Sequence, residues 1–587
     1  MKSLLRLRPY LTAYKRTLMW GVCTVIISNL FVVATPLFIG NAVDTIKHGI
    51  DSGVLHYSKL LRDAGLIVGF AFVAGYMTFL TRQTIIVVSR KIEYDLRNDF
   101  LAHIQKLPLS YFQNTPTGDL MAHATNDISA VRNALGPGIM YPSDTFMTFS
   151  MALTLMFVKD WSLTLVALVP LPLVSYAVYK LGKIIHEKFN ERQEQYSLLT
   201  TRAQENLSGI RVVKAYVREE YEIGLFEKLS WVYLKKNLVL AKAQSIMWPM
   251  MYMLVGISLV ITVYFGGLQV IAGKISIGTL TAFFTYLSML IWPMIAFGWV
   301  TNIIQQGAAS MERLAKIFDT VPEIRDSEET DILIKHIDGE IEFKNVSFTH
   351  KGAAKPTLKN IDIKIPKGTT LAVVGYTGSG KSTFVNLLPR LYDVTDGELL
   401  IDGINIKKIP LEVLRSHVGC VPQETFLFSE SIFENISYGV DSVSQEEVRE
   451  AAEISQIAKD VNDFPQQFET ALGERGITLS GGQKQRTSIA RAVLREPKIL
   501  ILDDALSSVD TYTEEAILKR LRRVMENRTS IIISHRISTV KDADLIVVMD
   551  KGQIVERGRH DELVDLGGIY ANLHYKQLLE RELEQLN

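Results

Sequence analysis

The sequence predicts a two-part chain: an α-helical transmembrane domain of six spans with long cytoplasmic extensions, fused to an α/β domain built around a phosphate-binding loop. Long charge-free runs occupy the first half of the chain, and a G-x-x-x-x-G-K-S motif follows an apolar run in the second half. The 587 residues are 48% hydrophobic and 21% charged. A chain this apolar and still this charged is typical of a membrane part joined to a soluble part.

Charge and cysteine content exclude several classes of protein. Lys+Arg and Asp+Glu both number 63, so net charge gives no support for a nucleic-acid partner. The two cysteines, Cys23 and Cys420, exclude a disulfide framework and fit a reducing cytosol. The same composition excludes coiled-coil, collagen-like and disordered chains.

Six membrane-spanning helices account for the charge-free runs, since about 20 apolar residues cross the hydrocarbon core. Five runs contain no Asp, Glu, Lys or Arg, and a sixth, residues 134–158, is broken only by Asp144. The transmembrane domain is therefore expected over residues 17–311, with helices near residues 17–40, 64–88, 138–158, 161–180, 246–272 and 277–300.

Basic residues predict the orientation of these spans, because Lys and Arg concentrate in cytoplasmic segments. Residues 1–16 carry five basic residues and no acid, and they are expected to form an interfacial elbow helix. The stretches between spans two and three and between spans four and five are long, mixed in charge and poor in Gly and Pro. Helices that continue into the cytoplasm explain them, with turns expected at Tyr111–Asp119 and Val212–Tyr221. Both termini are then cytoplasmic.

Two features inside the spans leave alternatives open. Ionisable side chains within a membrane are functional hypotheses by default, so Asp144 either contacts substrate or lies in a water-filled or interfacial position without a special task. The cluster from Met247 to Met253 either lines an adaptable pocket or takes part in ordinary helix packing.

The second domain begins after a charged linker, residues 312–338, and covers residues 339–587. The apolar run Leu371–Val374 predicts a strand that leads into the phosphate-loop pattern. Backbone N–H groups of such a loop surround phosphates, the lysine reaches the β- and γ-phosphates, and the following hydroxyl ligates Mg²⁺. ATP and Mg²⁺ are the predicted ligands, bound by Gly375, Tyr376, Thr377, Gly378, Ser379, Gly380, Lys381, Ser382 and Thr383.

A second apolar strand, Ile499–Leu502, ends at Asp503, which is predicted to hold Mg²⁺ together with the phosphate loop. Between the two sites lies Leu479-Ser480-Gly481-Gly482-Gln483, followed by a helix. An N-capped helix explains Ser480 but not two adjacent glycines, which indicate a second phosphate cradle. One ATP does not need two cradles from one chain, so this cradle is expected to close over a nucleotide held by another domain.

These motifs together resemble the ATP-binding cassette, and the fused spans resemble the exporter class of ABC transporters, over essentially the whole chain. The resemblance implies roles for further residues. Gln423 would contact Mg²⁺ and sense the cytoplasmic turns, Glu474 would meet those turns, and Ser507–Asp510 would cross between two cassettes. His535 would be the switch histidine that contacts the γ-phosphate.

Two positions depart from the family pattern. Asp504 stands where the family has a catalytic glutamate; one methylene less moves the attacking water by about 1 Å, which can cost on the order of 100-fold in rate. His350 stands where the family has a tyrosine that stacks on adenine, and a neutral imidazole still stacks with a smaller face.

The resemblance implies an ATPase that drives export of amphipathic small molecules, of the multidrug type, across the inner (plasma) membrane of a bacterium. One cassette per chain requires a second half-transporter chain, and the shortened acid favours a different partner, so that only one of two ATP sites is impaired. The alternatives are a homodimeric lipid or drug flippase, an ATP-gated channel, and a regulatory nucleotide-binding subunit. Membrane lipid is an expected partner and nucleic acid is not.

Overall fold

A computed structural model describes residues 2–54 and 56–586. The chain divides into two compact units. The first comprises residues 1–102 and 118–319, and the second comprises residues 103–117 and 320–587. The short segment 103–117 therefore groups with the second unit, although both of its neighbours in sequence belong to the first.

The first unit is helical. Among the helices of residues 2–318, the short helix α5 belongs to the second unit. The helices are α1 (Arg8–Ala13), α2 (Lys15–Ser52), α3 (Tyr57–Thr81), α4 (Val87–Ile104), α5 (Leu109–Asn114), α6 (Thr117–Ala122), α7 (Ile128–Leu135), α8 (Pro137–Lys159), α9 (Trp161–Leu168), α10 (Leu171–Ser208), α11 (Ile210–Ala215), α12 (Glu219–Ile271) and α13 (Ile277–Phe318). Two π-helical turns, Arg82–Ile86 and His123–Asp127, join α3 to α4 and α6 to α7.

Helices occupy all six predicted spans. Within residues 2–54 and 56–586, four helices are long and apolar enough to cross a membrane: Lys15–Ser52, Tyr57–Ile104, Glu219–Ile271 and Ile277–Phe318. The other two predicted spans correspond to α8, which contains Asp144, and to α9 with α10. A turn at Val169 and Pro170 separates α9 from α10, because proline cannot donate the helical hydrogen bond and disfavours helix in the residue before it.

The predicted helical extensions of the spans are present, but the turns between them differ from the expectation. The first contains a helix, α5, that begins after Pro108 and ends at Asn114, and the chain is helical again from Thr117. The second contains α11 over Ile210–Ala215, and α12 already begins at Glu219. Pro108 and Pro116 explain the breaks at the first tip, and Gly209 precedes the short helix at the second, whereas the residues of α5 and α11 are compatible with a helical turn.

The last helix of the first unit extends beyond the predicted boundary, and the N-terminal segment is helical as expected. Helix α13 continues to Phe318 in place of ending at residue 311, so the start of the expected linker is helical. At the N-terminus, a 3-10 segment over Lys2–Leu7 precedes α1 and packs against α13. Leu7 is fully buried, and Arg6 forms a salt bridge of 2.6 Å with Asp319.

The second unit contains two β-sheets. Its strands are β1 (Ile341–Phe348), β2 (Leu358–Ile365), β3 (Thr370–Gly375), β4 (Asp396–Ile401), β5 (Ile404–Asn405), β6 (Val418–Val421), β7 (Ile499–Asp503), β8 (Thr529–Ile533), β9 (Leu545–Asp550) and β10 (Gln553–Gly558). A four-stranded antiparallel sheet has the order β2-β1-β4-β5, and a six-stranded sheet has the order β10-β9-β3-β8-β7-β6.

The strands β9, β3, β8, β7 and β6 of the larger sheet run parallel, and α-helices complete this unit. They are α14 (Lys381–Asn386), α15 (Leu411–His417), α16 (Ile432–Ser437), α17 (Gln445–Ile454), α18 (Ala458–Asn462), α19 (Gly481–Leu494), α20 (Thr511–Met525), α21 (Ile537–Val540), α22 (His560–Asp565) and α23 (Ile569–Leu586). Every residue of β7 and β8 is buried, as expected for parallel strands covered on both faces. The α-helical and α/β parts of the predicted fold are thus confirmed.

Candidate nucleotide-binding site

Four predicted site segments follow neighbouring strands of the larger sheet at the same edge. The phosphate loop follows β3, His535 follows β8, Asp503 ends β7, and Gln423 follows β6. The strands are adjacent in the order β3-β8-β7-β6, and all four run parallel. Ligands of parallel α/β sheets bind at the carboxyl ends of the strands. The sheet therefore gathers residues that are up to 160 positions apart in the sequence, as Gly375 and His535 are.

The phosphate loop depends on glycines for its path. Gly375 has a φ of +150°, and a Cβ atom there would lie 2.2 Å from the carbonyl oxygen of Met549 on β9. Gly380 has a φ of +101°, in the region that disfavours residues with a side chain, and it precedes α14 directly. The Ser379 side chain lies inside this loop, and its Oγ is buried with no hydrogen-bond partner in the described structure. An unpaired buried hydroxyl beside a turn of backbone N–H groups fits a phosphate ligand.

Lys381 is buried beside the loop. Its Nζ donates hydrogen bonds of 2.9 Å to the carbonyl oxygens of Gly375 and Tyr376. Burial lowers the pKa of Lys381, and the charges of Asp503 and Asp504 oppose that shift. A cation held so close to the loop is well placed to bind the phosphates of a nucleotide.

Ser382 and Asp503 provide the oxygen ligands that Mg²⁺ prefers. Asp503 is only 5% exposed, and burial raises its pKa, while a hydrogen bond from the Ser382 hydroxyl and the charge of Lys381 act in the opposite direction. A buried carboxylate with a hydroxyl beside it fits Mg²⁺, which usually takes one or two protein oxygens together with phosphate oxygens and water. No group of three His, Cys, Asp or Glu side chains that could hold a metal occurs in residues 2–54 and 56–586.

The backbone of Asp504 is held in place from two sides. Its amide donates a 2.9 Å hydrogen bond to the carbonyl oxygen of Ile533 on β8, and its own carbonyl accepts one of 3.4 Å from Gln485. Its φ is +50°, in the left-handed region that aspartate tolerates better than most residues. Because these two hydrogen bonds restrain the backbone, the reach of the Asp504 carboxylate depends on the length of its side chain.

His350 belongs to a group of three aromatic rings. Its imidazole contacts Phe348 and Tyr392 edge-on, with ring centroids 4.8 and 5.4 Å apart. The Tyr392 hydroxyl accepts a 2.8 Å hydrogen bond from Gln113 on α5. The His350 ring, at the predicted adenine-stacking position, thus packs against Phe348 and Tyr392. Tyr392 in turn is hydrogen-bonded to the segment 103–117.

The LSGGQ segment begins α19 with a capping box. Ser480 Oγ accepts a hydrogen bond from the Gln483 backbone N–H, and Gln483 Oε1 accepts one from the Ser480 N–H. A Cβ atom at Gly482 would lie 2.8 Å from the carbonyl oxygen of Ser508. Close approach of this backbone is therefore a second reason for glycine at position 482, beside the predicted phosphate cradle.

The segment Ser507–Asp510 packs against this same helix through Gln485, a residue that the sequence analysis missed. Gln485 Nε2 donates to Ser507 Oγ and its Oε1 accepts from the Ser508 N–H, both at 2.9 Å. On the same helix, Arg491 donates to the carbonyl oxygens of Asn435 and Phe426 at 2.7 and 3.0 Å. Phe426 lies three residues after Gln423, so α19 connects the LSGGQ segment to both neighbouring loops.

Gln577 on α23 is another residue without a sequence signal. Its Nε2 donates a 2.5 Å hydrogen bond to the carbonyl oxygen of His535, and its Oε1 accepts one of 2.8 Å from the Ile537 N–H. Arg536 reaches the Val509 carbonyl oxygen at 3.3 Å and pairs with Glu514 at the start of α20. The loop that carries His535 is therefore held on both sides by long-range hydrogen bonds.

Other predicted residues lie apart from this site. Glu474 is exposed in a 3-10 turn, where its expected contact with the cytoplasmic turns stays a prediction. Asp144 lies on α8 and accepts a 2.8 Å hydrogen bond from Asn29 of α2. In the methionine cluster, Met251 is buried while Met253 is 60% exposed, and the side chain of Trp248 lies outside the described ones.

Family models match both parts of the chain. Residues 18–294 match the ABC transporter transmembrane region, and residues 358–507 match the ABC transporter domain.

Several characterised or named bacterial proteins are similar over most of their length. The chain is 37% identical to a probable multidrug resistance ABC transporter ATP-binding/permease protein, YheI, of Bacillus subtilis, covering 94% of this chain and 93% of that protein. It is 39% identical to an ATP-dependent lipid A-core flippase of Syntrophus aciditrophicus, covering 84% and 82%. It is 33% identical to the multidrug resistance-like ATP-binding protein MdlA of Escherichia coli, covering 100% and 98%.

A solved structure of a bacterial Atm1-family ABC exporter with ATP bound superposes with a TM-score of 0.77. The two chains are 27% identical, and the match covers 96% of this chain and 99% of that one. The similarity thus includes both units, in both fold and sequence.

Proposed function

Because the chain belongs to the ABC transporter family, as an exporter-type half-transporter, we propose that it exports amphipathic small molecules across the cytoplasmic membrane at the expense of ATP. The observation that supports this best is the fusion of membrane-length helices to one sheet edge that carries Lys381, Asp503 and His535 together. A protein that only bound nucleotide would not need the membrane helices. Multidrug transporters among the relatives favour amphipathic substrates.

Each nucleotide site is proposed to form between two chains. Lys381 would bind the phosphates and Ser382, Asp503 and Gln423 would hold Mg²⁺, which neutralises phosphate charge when it is bound. His535 would contact the γ-phosphate, and His350 would stack on adenine. The LSGGQ segment, with Ser480, Gly481 and Gly482, would cover the nucleotide of the partner chain. Closure of this interface would change the side of the membrane to which the cavity between the membrane helices opens.

Asp504 would orient the attacking water at the site built on this chain's phosphate loop. The constrained backbone at Asp504 supports a slow site there, because no backbone shift replaces the missing methylene. We therefore propose a heterodimer in which a different half-transporter supplies a glutamate at the second site. Both termini would be cytoplasmic, and the membrane would be the bacterial inner membrane.

One alternative has an observation of its own. Relatives named lipid A-core flippases match most of this chain, so a homodimer that moves lipid is the second candidate function. Both candidates require ATP-driven movement, whereas an ATP-gated channel would only dissipate a gradient.

Inside-out membrane vesicles test the transport function. We expect ATP-dependent accumulation of an amphipathic dye, and we expect Lys381→Met to abolish it, since methionine keeps the length of the side chain and removes the charge. Movement of neither dye nor fluorescent lipid against a gradient would overturn the proposal. Dissipation of a preformed gradient on ATP addition would identify a channel.

Co-purification tests the assembly. A tag on this chain, with extraction from its native membrane, should recover a second and different half-transporter in equal amount. Recovery of this chain alone as a dimer that hydrolyses ATP rapidly at both sites would contradict the heterodimer.

A further inference from the structure

An acidic side chain in the membrane unit lacks a cation to balance it. Asp144, on the predicted span α8, accepts a hydrogen bond through Oδ1 from Asn29 Nδ2 at 2.8 Å. Asp144 forms no ion pair with any of the described residues, and the amide of Asn29 is neutral. Acids inside a membrane usually pair with another charged group or face a polar cavity. The Asp144 side chain is only partly buried within this chain.

Asn29 holds this carboxylate in one orientation. Asn29 is only 3% exposed, and its Nδ2 also donates a 3.0 Å hydrogen bond to the carbonyl oxygen of Val25. Its Oδ1 accepts a hydrogen bond from the Thr148 hydroxyl. Both amide hydrogens and the amide oxygen of Asn29 are therefore used, and a neutral amide leaves the charge of Asp144 uncompensated.

Aromatic rings lie one helical turn from Asp144. Tyr141, Asp144 and Thr148 share a face of α8, since they are spaced by three and four residues. The Tyr141 ring meets the Trp299 ring of α13 at a centroid distance of 4.9 Å, and Trp299 is 46% exposed. Exposed aromatic faces attract organic cations.

We propose that Asp144, oriented by Asn29 and flanked by the Tyr141–Trp299 pair, binds the positively charged group of a lipophilic organic cation. This inference rests on the proposed export function and narrows its substrate class. A purely structural contact between α2 and α8 does not require a charge, because an amide oxygen at position 144 accepts the Asn29 hydrogen bond equally well. The carboxylate adds a negative charge to that contact, and an organic cation would pair with this charge.

The test distinguishes the effect of the Asp144 charge from the effect of its hydrogen bond with Asn29. Asp144→Asn keeps an oxygen for Asn29 and removes the charge. Asp51→Asn, at the exposed end of α2, makes the same change in charge away from the site. The probes are ethidium, a permanent cation, and calcein acetoxymethyl ester, which is neutral. Ethidium binding is measured on the complete transporter in lipid nanodiscs, and ATP-dependent movement of both probes is measured in inside-out vesicles.

We expect Asp144→Asn to weaken ethidium binding by about ten-fold or more, with no change for Asp51→Asn. Movement of the neutral ester should stay at the wild-type rate in both variants. Asn29→Ala, which removes the orienting amide, should weaken ethidium binding less than the loss of the charge.

Ethidium binding that survives Asp144→Asn unchanged would overturn the inference, and so would equal loss of both probes, which indicates a structural role. Export of the neutral ester by the wild type without ethidium binding would overturn the inference and leave the proposed function intact. If neither probe moved in an ATP-dependent way while ethidium binding still depended on Asp144, the proposed export function would be overturned and the proposed binding site would stand.

Discussion

Gln577 of α23 donates a hydrogen bond of 2.5 Å to the carbonyl oxygen of His535, the residue that follows β8 at the edge of the nucleotide site. The same side chain accepts from the Ile537 N–H, so one amide holds the loop on both sides of Arg536. Helix α23 thereby holds the backbone of His535, the predicted switch histidine. Gln577 acts through His535 and is a positioning residue.

The first prediction follows from this contact. Gln577→Ala should lower kcat for ATP several-fold while the KM for ATP changes little, because the loop loses its orientation and the phosphate loop is untouched. Leu579→Ala, on the exposed side of the same helix, is the control and should leave both parameters unchanged. Equal kcat in the Gln577→Ala and wild-type transporters would contradict a positioning role.

The second prediction concerns the short acid. Asp504→Glu in the assembled transporter should increase hydrolysis at the site on this chain by about 10- to 100-fold, because the added methylene restores the reach of the carboxylate. Asp504→Asn should change that slow site little. Single-turnover hydrolysis, with the other site disabled in the partner chain, measures it; no gain from glutamate would show that geometry is not the cause.

The third prediction concerns the contact between α19 and Ser507–Asp510. Gln485 is 5% exposed and pairs with Ser507 and Ser508. Gln485→Leu removes these hydrogen bonds, and because both serines are exposed to water the cost is about 0.5–1.5 kcal/mol. The unfolding temperature and the ATPase rate should both fall. Gln445→Leu, at an exposed position of α17, should alter neither. A similar decrease in that variant would show that the change from glutamine to leucine, and not the loss of the Gln485 contacts, causes the effect.

The fourth prediction concerns adenine stacking. His350→Tyr should tighten ATP binding by about 2- to 10-fold, since the larger ring adds stacking contact, and His350→Ala should weaken it. His186→Tyr, an exposed histidine of α10, controls for the change of residue type. Fluorescent ATP-analogue binding is the measurement, and identical affinities for all three side chains at position 350 would exclude stacking there.

The fifth prediction concerns Cys420, on β6 beside β7. Burial, together with the charge of Asp503, raises the pKa of this thiol to about 12. At pH 9 only about one thousandth of the side chain is thiolate, the reactive form. In a Cys23→Ser background, N-ethylmaleimide should leave Cys420 unlabelled from pH 7 to pH 9 and label it after denaturation. Labelling of the folded protein at a rate that levels off as the pH approaches 9 would contradict the raised pKa, because an ordinary thiol is already largely thiolate there.

Much of the fold and of the site was predictable because its signals are local. The phosphate loop and the strand ending in Asp503 each occupy fewer than about ten consecutive residues and each charge-free run fewer than about forty, and the structure and the family matches agree with the strand and the helices. Gln423 and His535 have no local signal, and only the family resemblance identified them. The parallel pairing of β6, β7, β8 and β3 gives the physical reason for those two positions.

Helix ends were less predictable than the helices themselves. The first cytoplasmic turn was expected over Tyr111–Asp119, whereas the chain breaks at Pro108 and again at residues 115–116, and the residues between these breaks form α5. The expected linker likewise begins as helix, since α13 continues to Phe318. Helix termini depend on packing and capping as much as on propensity, so a composition change does not locate them.

The sequence by itself determined which segments enter the membrane unit, where a nucleotide's phosphates would bind, and that the acid after Asp503 is short. The tertiary structure decided which distant side chains meet: Gln577 with His535, Gln485 with Ser508, Asn29 with Asp144, and Gln113 with Tyr392. The reason is physical. Glutamine and asparagine carry the same amide everywhere, and only the packing of helices and strands brings a partner within hydrogen-bond distance of it.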